Sequence, residues 1–372
     1  MLVVLIDLHT APTPSQQRVL ALARALKTAD FFEPLLVCPA CSPLATQARA
    51  EALPLLALGS SKPWHPFSLL RLWLHLRKER QALVHCFDDQ AAALGYLLMR
   101  KRKHGQALLV LTHFFDLQLE NKLALRSQTL ADSIFCGSSV IAKLLIEKLD
   151  IAAGKLRLVP PGTQVSEQEA RAASSERFII CMPGELVAEQ GQETLIQAMA
   201  ALWQVPDMPP WEVRLLGAGP MFTSLLETAR SLGVVDRLAM LGRQNLHEIL
   251  PQCTVLVLPA GYLVYAPMLA QTWAAGVPVI CPSNQACREL ASDGVNALFS
   301  TPGNPQELAA QLLRIRREGD LMQKLVNNGK AALPQLTEER MIENCFLAYE
   351  ELMKKQGWVM QQYAPTTEEK EI

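Results

Sequence analysis

Charge and aromatic residues are both scarce in this 372-residue chain, at 19% and 6%, and the formal net charge is only −1. A general nucleic-acid binder carries a marked positive excess for phosphate contacts, so that class is excluded. Long apolar runs are also missing: no stretch reaches the roughly 18–20 residues of a membrane span. The start, Met-Leu-Val-Val-Leu-Ile-Asp7, has neither a basic flank nor a small-residue cleavage site, so it reads as a first strand rather than a signal peptide. The nine cysteines are an odd number without regular spacing and lie mostly among apolar neighbours. They read as buried thiols of a reducing compartment, and the protein is expected in the cytoplasm. Cys38-Pro-Ala-Cys41 has no second pair and no His cluster, which leaves it short of a zinc or redox motif.

What the chain does have is apolar material, at 50% of residues, with 24 prolines and 19 glycines marking frequent turns. This is the composition of a folded chain, and the length predicts two domains. The near-neutral total hides an asymmetry. Residues 1–165 hold 19 Lys+Arg against 12 Asp+Glu, whereas residues 166–372 hold 16 against 24. A basic half suits an anionic acceptor or a membrane surface.

Short apolar runs alternate with helical patterns throughout, as in parallel sheets with crossover helices. In the first half the predicted strands are Leu2–Ile6, Pro34–Cys38, Leu83–Cys86, Leu108–Thr112, Ser133–Cys136 and Leu156–Val159. The second set is Phe178–Met182, Glu212–Leu216, Leu238–Leu241, Val255–Leu258, Val279–Cys281 and Ala297–Ser300. Predicted helices include Gln16–Thr28, Ser139–Leu149, Gln192–Trp203, Met221–Leu232, Leu246–Leu250, Met268–Ala275, Pro305–Glu318 and Thr337–Lys354. The fold class is therefore α/β with two Rossmann-like domains. Residues 1–165 form the first, 166–176 a polar linker and 177–336 the second; a helix over 337–356 returns to the first domain, and 357–372 is a tail.

The second half carries Gly184-Glu-Leu-Val-Ala-Glu-Gln-Gly191, Leu216-Gly-Ala-Gly-Pro220, Leu232-Gly-Val-Val-Asp-Arg237, Leu241-Gly242, Leu258-Pro259, Ala274-Ala-Gly-Val-Pro-Val279 and Arg288-Glu-Leu-Ala-Ser-Asp-Gly-Val-Asn296. In order and spacing these motifs resemble the C-terminal domain of family-4-type GT-B glycosyltransferases. The first half is similar through Leu83-Val-His-Cys86, Thr112-His113 and Ala131-Asp132. The resemblance implies two facing Rossmann-like domains with a cleft between them. It also implies retaining, metal-independent transfer of a sugar from a nucleotide-sugar, with no cofactor beyond that donor.

On that resemblance the donor-binding positions are Gly184, Gln190, Gly217, Gly219, Pro220, Arg243, Gln271 and Glu289, and His113 stands near the transferred sugar as the catalytic candidate. Physics supplies a second reading for several. Gly217 and Gly219 either bring backbone N–H groups to an anion or only permit a tight strand-to-helix turn. Glu289 either faces the donor or complements a helix N-terminus. His113 either donates to a sugar hydroxyl or is a satisfied histidine without chemistry.

Four positions depart from the family pattern. A Glu is expected where Gln271 and Leu263 stand, an Arg where Glu185 stands and a Lys where Gln190 stands. Two like charges at about 4 Å repel by ~1–4 kcal/mol at effective dielectrics of 80 to 20, so Glu185 would disfavour a diphosphate unless Arg243 or Arg288 supplies a cation. The loop Leu8-His-Thr-Ala-Pro-Thr-Pro-Ser-Gln-Gln17 lacks the family's Gly-Gly turn, and its prolines offer no N–H. Arg71, Arg77, Lys78 and Arg80 follow an apolar stretch from Trp64, and Arg100-Lys-Arg-Lys-His104 is a compact cluster. Together they read as an interfacial helix for anionic lipid or as a solvated crossover helix.

The functional expectation is thus a glycosyltransferase acting on a glycan or lipid-linked acceptor in envelope polysaccharide or lipopolysaccharide assembly, with peripheral contact to the cytoplasmic face of the inner membrane. The alternative is a pseudo-glycosyltransferase that scaffolds or regulates an active partner transferase. A GT-B nucleotide-sugar epimerase is a third, more distant reading.

Overall fold

The computed structural model describes residues 1–29, 31–62, 65–79, 81–100, 107–115, 121–164, 177–206 and 208–358. The expected linker 166–176, most of the tail, Trp64, Arg80 and residues 101–104 of the basic cluster lie outside these.

The chain divides into two units. Residues 1–137, 141–159 and the stretch from 341 onward form one; residues 138–140 and 160–340 form the other. In the first, strands β1 (Leu2–Ile6), β2 (Glu33–Pro39), β3 (Leu55–Leu58), β4 (Ala82–Cys86), β5 (Ala107–His113), β6 (Ser133–Cys136) and β7 (Leu156–Leu158) make a seven-stranded sheet in the order β3-β2-β1-β4-β5-β6-β7. All of its pairings are parallel. In the second, β8 (Phe178–Pro183), β9 (Trp211–Leu216), β10 (Leu238–Met240), β11 (Val255–Val257), β12 (Val279–Pro282) and β13 (Leu298–Ser300) make a six-stranded parallel sheet in the order β10-β9-β8-β11-β12-β13.

Parallel strands covered by helices on both faces read as unbroken apolar runs, and those runs located most of the strands. Strand order reverses at β1/β4 and again at β8/β11. Connections on either side then leave in opposite directions, opening a crevice at the carboxyl ends of the central strands.

Several elements differ from the sequence reading. Strand β3 and the helices Pro43–Ala50, Asp89–Met99 and Lys122–Leu130 were not predicted; each of these helices is short and begins behind a polar cap, Ser42, Asp88 or Asn121, that accepts from its first turn. The expected helix Pro305–Glu318 stops at Arg317, and a separate helix, Gly319–Ala332, follows at once. Gly276 adopts φ 67° just past Ala275, the C-cap of the helix Ala266–Ala274, the left-handed stop that glycine allows there. The cysteine reading also needs correction. Cys181 on β8 and Cys253 just before the adjacent β11 are disulfide-bonded with Cα atoms 6.2 Å apart, and Cys41 is exposed. Strand pairing brings together residues 72 positions apart in sequence, which spacing does not reveal.

The last helix, Glu338–Lys355, completes the first unit's core: Met341, Phe346, Tyr349 and Met353 pack with Val3, Leu22, Leu36 and Phe135. Its anchor is His85 on β4, wholly buried, with Nδ1 2.5 Å from the Tyr349 hydroxyl and Nε2 on the Thr112 hydroxyl. Burial lowers the imidazole pKa to about 3, so the ring is neutral at pH 7 and its two nitrogens serve one donor and one acceptor bond.

A pKa depressed on folding means that the unfolded chain binds more protons between about pH 3 and the ordinary histidine value, so stability is lost as pH falls through that window. A His85→Gln variant cannot titrate. Its stability deficit relative to the parent should shrink by about 1.4 kcal/mol per pH unit between pH 6 and 4 in urea unfolding; parallel profiles would refute the assignment.

Candidate functional site

In the first unit the β1/β4 crevice forms a cleft of about 510 Å³, lined by Leu8, His9, Asp88, Thr112, His113 and Phe115 among others. Asp7, at the end of β1, is fully buried, and Oδ2 lies 3.3 Å from His9 Nδ1. Asp88 caps the helix Asp89–Met99 by accepting from the Ala91 N–H at 2.8 Å, and its second oxygen accepts from the Leu8 N–H at 2.6 Å. That oxygen is 3.8 Å from His9 Nδ1. Asp7, His9 and Asp88 thus bring three potential metal-ligating atoms within 4.8 Å of one another. Burial, and then the neighbouring Asp7 carboxylate, raise the Asp88 pKa to about 6.

This cluster was missed in the sequence, because Asp7 and Asp88 become neighbours only through the β1·β4 pairing. His113 is at the cleft, nearly buried at 8% exposure, with Nε2 3.1 Å from Gln128 Oε1. The loop after β1 is a stiff turn: Pro14 opens the helix Pro14–Thr28 behind an extended Thr13.

In the second unit the β8/β11 crevice holds a crossing of two main chains that includes Gly184, Gly217 and Gly219. Residues 184–186 run across the Gly217 turn, with the Gly184 N–H donating to the Leu216 carbonyl at 3.2 Å and the Leu186 N–H to the Ala218 carbonyl at 3.1 Å. A Cβ on Gly217 would lie 1.7 Å from the Gly184 carbonyl oxygen, and one on Gly219 would lie 2.5 Å from that of Leu186. Both glycines are therefore required by the close passage of two main chains, whatever else they do. Gly184 itself has φ 133°, and Pro220 is exposed just beyond the turn.

Glu185 projects outward, and Arg243 Nη2 approaches its Oε1 at 3.5 Å, with both side chains largely exposed. An exposed pair of this kind contributes only about 0–1 kcal/mol and opens readily. Gln190 is buried at 8% exposure and lines a crevice of about 30 Å³ with Thr194 and Ser300; its Oε1 has no hydrogen-bond partner among the described residues. Gln271 is half-buried on the helix Ala266–Ala274.

Glu289 meets the start of a helix, though not of its own. It follows the C-terminal end of the four-residue helix Gln285–Arg288, its N–H donating to the Gln285 carbonyl at 3.2 Å, while Asn284 caps the N-terminus by accepting from Cys287. The Glu289 carboxylate instead accepts from the Ser139 N–H at 3.0 Å and from the Ser139 hydroxyl, at the first residue of the helix Ser139–Leu149. Arg288 turns to the Ser283 hydroxyl at 2.6 Å and lies over the Phe299 ring.

Tyr265 is a residue the sequence undervalued. Wholly buried, it holds the Pro259–Ala260 turn with its hydroxyl 2.8 and 2.9 Å from those carbonyls and accepts from Asn284 Nδ2 at 3.0 Å.

With this geometry in view, similarity to known proteins becomes informative. Residues 165–332 match the family described as glycosyl transferases group 1, and residues 15–167 match glycosyltransferase family 4. Among solved structures, Anabaena HepE in complex with UDP has a TM-score of 0.76 at 15% identity, covering 94% of this chain and 100% of that one. The chain belongs to the family-4-type GT-B glycosyltransferases. Its two Rossmann-like parallel sheets are those of the GT-B fold.

Relatives of this glycosyltransferase chain differ in how much they share. An exopolysaccharide phosphotransferase of Streptomyces coelicolor is 28% identical over 181 residues, 48% of this chain but only 19% of its own length. EpsD of Bacillus subtilis, named as a glycosyltransferase, is 24% identical over 285 residues, covering 70% of this chain and 74% of EpsD. The lipopolysaccharide core biosynthesis glycosyltransferase LpsE of Rhizobium meliloti is 26% identical over 170 residues, 45% of this chain and 48% of LpsE.

Two measurements test the site geometry. Gly217→Ala should destabilise the protein by more than about 2 kcal/mol in urea unfolding, since the added methyl meets backbone rather than a movable side chain; a neutral result would contradict the crossing. The raised Asp88 pKa has the opposite linkage to His85: the folded state keeps its proton longer than the unfolded one, so the carboxylate costs stability as pH rises from about 4 to 6 and a constant amount above. Relative to the parent, the melting temperature of Asp88→Asn should climb across that window and then level off.

Proposed function

We propose that the chain transfers a sugar, with retention, from a nucleotide-sugar to a glycan or lipid-linked acceptor in envelope polysaccharide or lipopolysaccharide assembly, its basic first unit working against the cytoplasmic face of the inner membrane. Support for a nucleotide donor comes from the GT-B family and from the UDP bound by HepE. Support for the pathway class comes from the names of the Streptomyces and Rhizobium relatives.

The observation that carries an active reading is Arg243 beside Glu185. The charge reversal at Glu185 is offset locally, and a guanidinium held so loosely can leave the carboxylate and form charge-assisted hydrogen bonds to a diphosphate. It would also offset charge developing on the departing nucleotide. Gly184, Gly217, Gly219 and Pro220 shape the backbone there. Gln190, Gln271 and Glu289 are the further donor-side groups, and His113 is the first unit's candidate for the chemistry. Gln271 can hydrogen-bond a ribose hydroxyl through its amide, without a carboxylate's charge.

A second reading, a pseudo-glycosyltransferase that scaffolds or regulates an active partner, is favoured by Gln271 and Leu263 at positions where the family pattern leads one to expect glutamates. Calorimetric titration with UDP, GDP and ADP separates the two. An active transferase binds at least one nucleotide, loses about 10–100-fold in affinity on Arg243→Ala and gains affinity on Glu185→Gln. Absence of heat and of thermal stabilisation with all three nucleotides would sink the enzyme reading and leave the scaffold.

A further inference from the structure

Helix Pro66–Leu76 in the first unit buries one side and exposes an unusual opposite side. Ser68, Leu72 and Leu76, spaced four residues apart, face inward and are at most 3% exposed. At 100° per residue, the positions pointing most directly away from that line are Phe67, Leu70 and Leu74. These are the places where a solvated crossover helix carries charge. Here they are apolar and exposed at 71%, 51% and 40%, with Trp73 beside them at 47%.

Cations flank this stripe on both sides. Arg71 and Lys78 lie along one border, and Arg77 lies along the other, its guanidinium 4.7 Å from the centre of the Trp73 ring. Between residues 60 and 80 the sequence holds Lys62, Arg71, Arg77, Lys78 and Arg80 against the single acid Glu79. Arg100, exposed at the end of the helix Asp89–Met99, adds to the same unit's positive charge.

We propose that the outer face of helix Pro66–Leu76 docks on an anionic lipid bilayer, with Phe67, Leu70 and Leu74 entering the interface and Arg71, Arg77 and Lys78 paired with lipid phosphates. The inference deepens the membrane part of the function proposed above and rests on that reading for its biological purpose alone. Charge selects the occupant. A protein partner matched to an apolar stripe needs no uniform sign at its edges, whereas a bilayer of anionic lipid attracts every Lys and Arg near its surface. An aromatic and aliphatic ridge bordered by long basic side chains, whose stems can lie along the acyl boundary while their heads stay at the phosphates, is the arrangement that binds in the interface plane. Among the described residues no helix is long and apolar enough to cross a membrane, so the contact is with the surface.

Flotation of the full chain with vesicles of pure phosphatidylcholine, or of phosphatidylcholine with one quarter phosphatidylglycerol, tests this. The parent should float with the anionic vesicles and at least tenfold less with the neutral ones, and should release at high salt. Phe67→Ser/Leu70→Ser/Leu74→Ser, whose exposed positions leave the melting temperature unchanged, should lose anionic flotation about tenfold. Arg71→Glu/Lys78→Glu should abolish the preference for anionic lipid while keeping the apolar face. Trp73→Phe should remove the part of tryptophan quenching by brominated acyl chains that the parent displays. No flotation with either vesicle, or equal flotation of parent and triple variant, overturns the proposal. So does concentration-dependent self-association in the absence of lipid that the triple variant abolishes, which would assign the face to a second copy. Nucleotide titration of the same samples keeps the two readings apart, because lost flotation with intact nucleotide binding removes only the membrane contact.

Discussion

Reversal of strand order in a parallel sheet is the constraint on which both candidate sites depend. Each sheet covers its two faces with helices, so consecutive connections leave β1 and β4, or β8 and β11, on opposite sides. The carboxyl ends of these strands are the places where main chain diverges and side chains of distant sequence meet without filling the gap. Asp7 and Asp88 face one another because of the first reversal, and the Gly184 loop reaches the Pro259–Ala260 turn because of the second. Neither arrangement depends on a local motif. Both follow from which strand lies beside which.

The two crevices handle electrostatics differently. In the first unit two carboxylates are withdrawn from water, and their repulsion is relieved by backbone N–H groups, by the His9 ring and by the proton that Asp88 keeps up to about pH 6. In the second unit the opposed charges of Glu185 and Arg243 stand in solvent, where they interact weakly and can exchange partners. One site is preorganised at the expense of a buried charge; the other is adaptable and has little holding it shut. A diphosphate-binding surface built on the second plan relies on the ligand to complete its order.

Most strands were legible because a both-sides-buried strand is a bare apolar run, and the β8/β11 loops were legible because glycines cluster where two main chains cross. Gly217 and Gly219 were readable as a tight turn, yet the reason for them, the carbonyls of Gly184 and Leu186, lies more than 30 residues away in sequence. Five features left little signal. Strand β3 is only four residues long. The short helices depend on single capping residues. The Asp7–His9–Asp88 cluster and the Cys181–Cys253 bond exist only through strand register. Glu289 complements the start of a helix 150 residues away in sequence, a pairing that local periodicity cannot reveal.

The first unit is not finished when the chain leaves it. Phe346, Tyr349 and Met353 come from the far end of the sequence, and without them the hydroxyl on His85 and the wall beside Phe135 would be gone. The second unit is thus an insertion within the first in terms of chain order, and a protein shortened at either end loses the same core. A fragment of residues 1–159 would carry every strand of its sheet and still present an open apolar face. Dissecting the molecule into separately expressed units therefore requires joining the last helix to the first unit by a new connection rather than cutting between them.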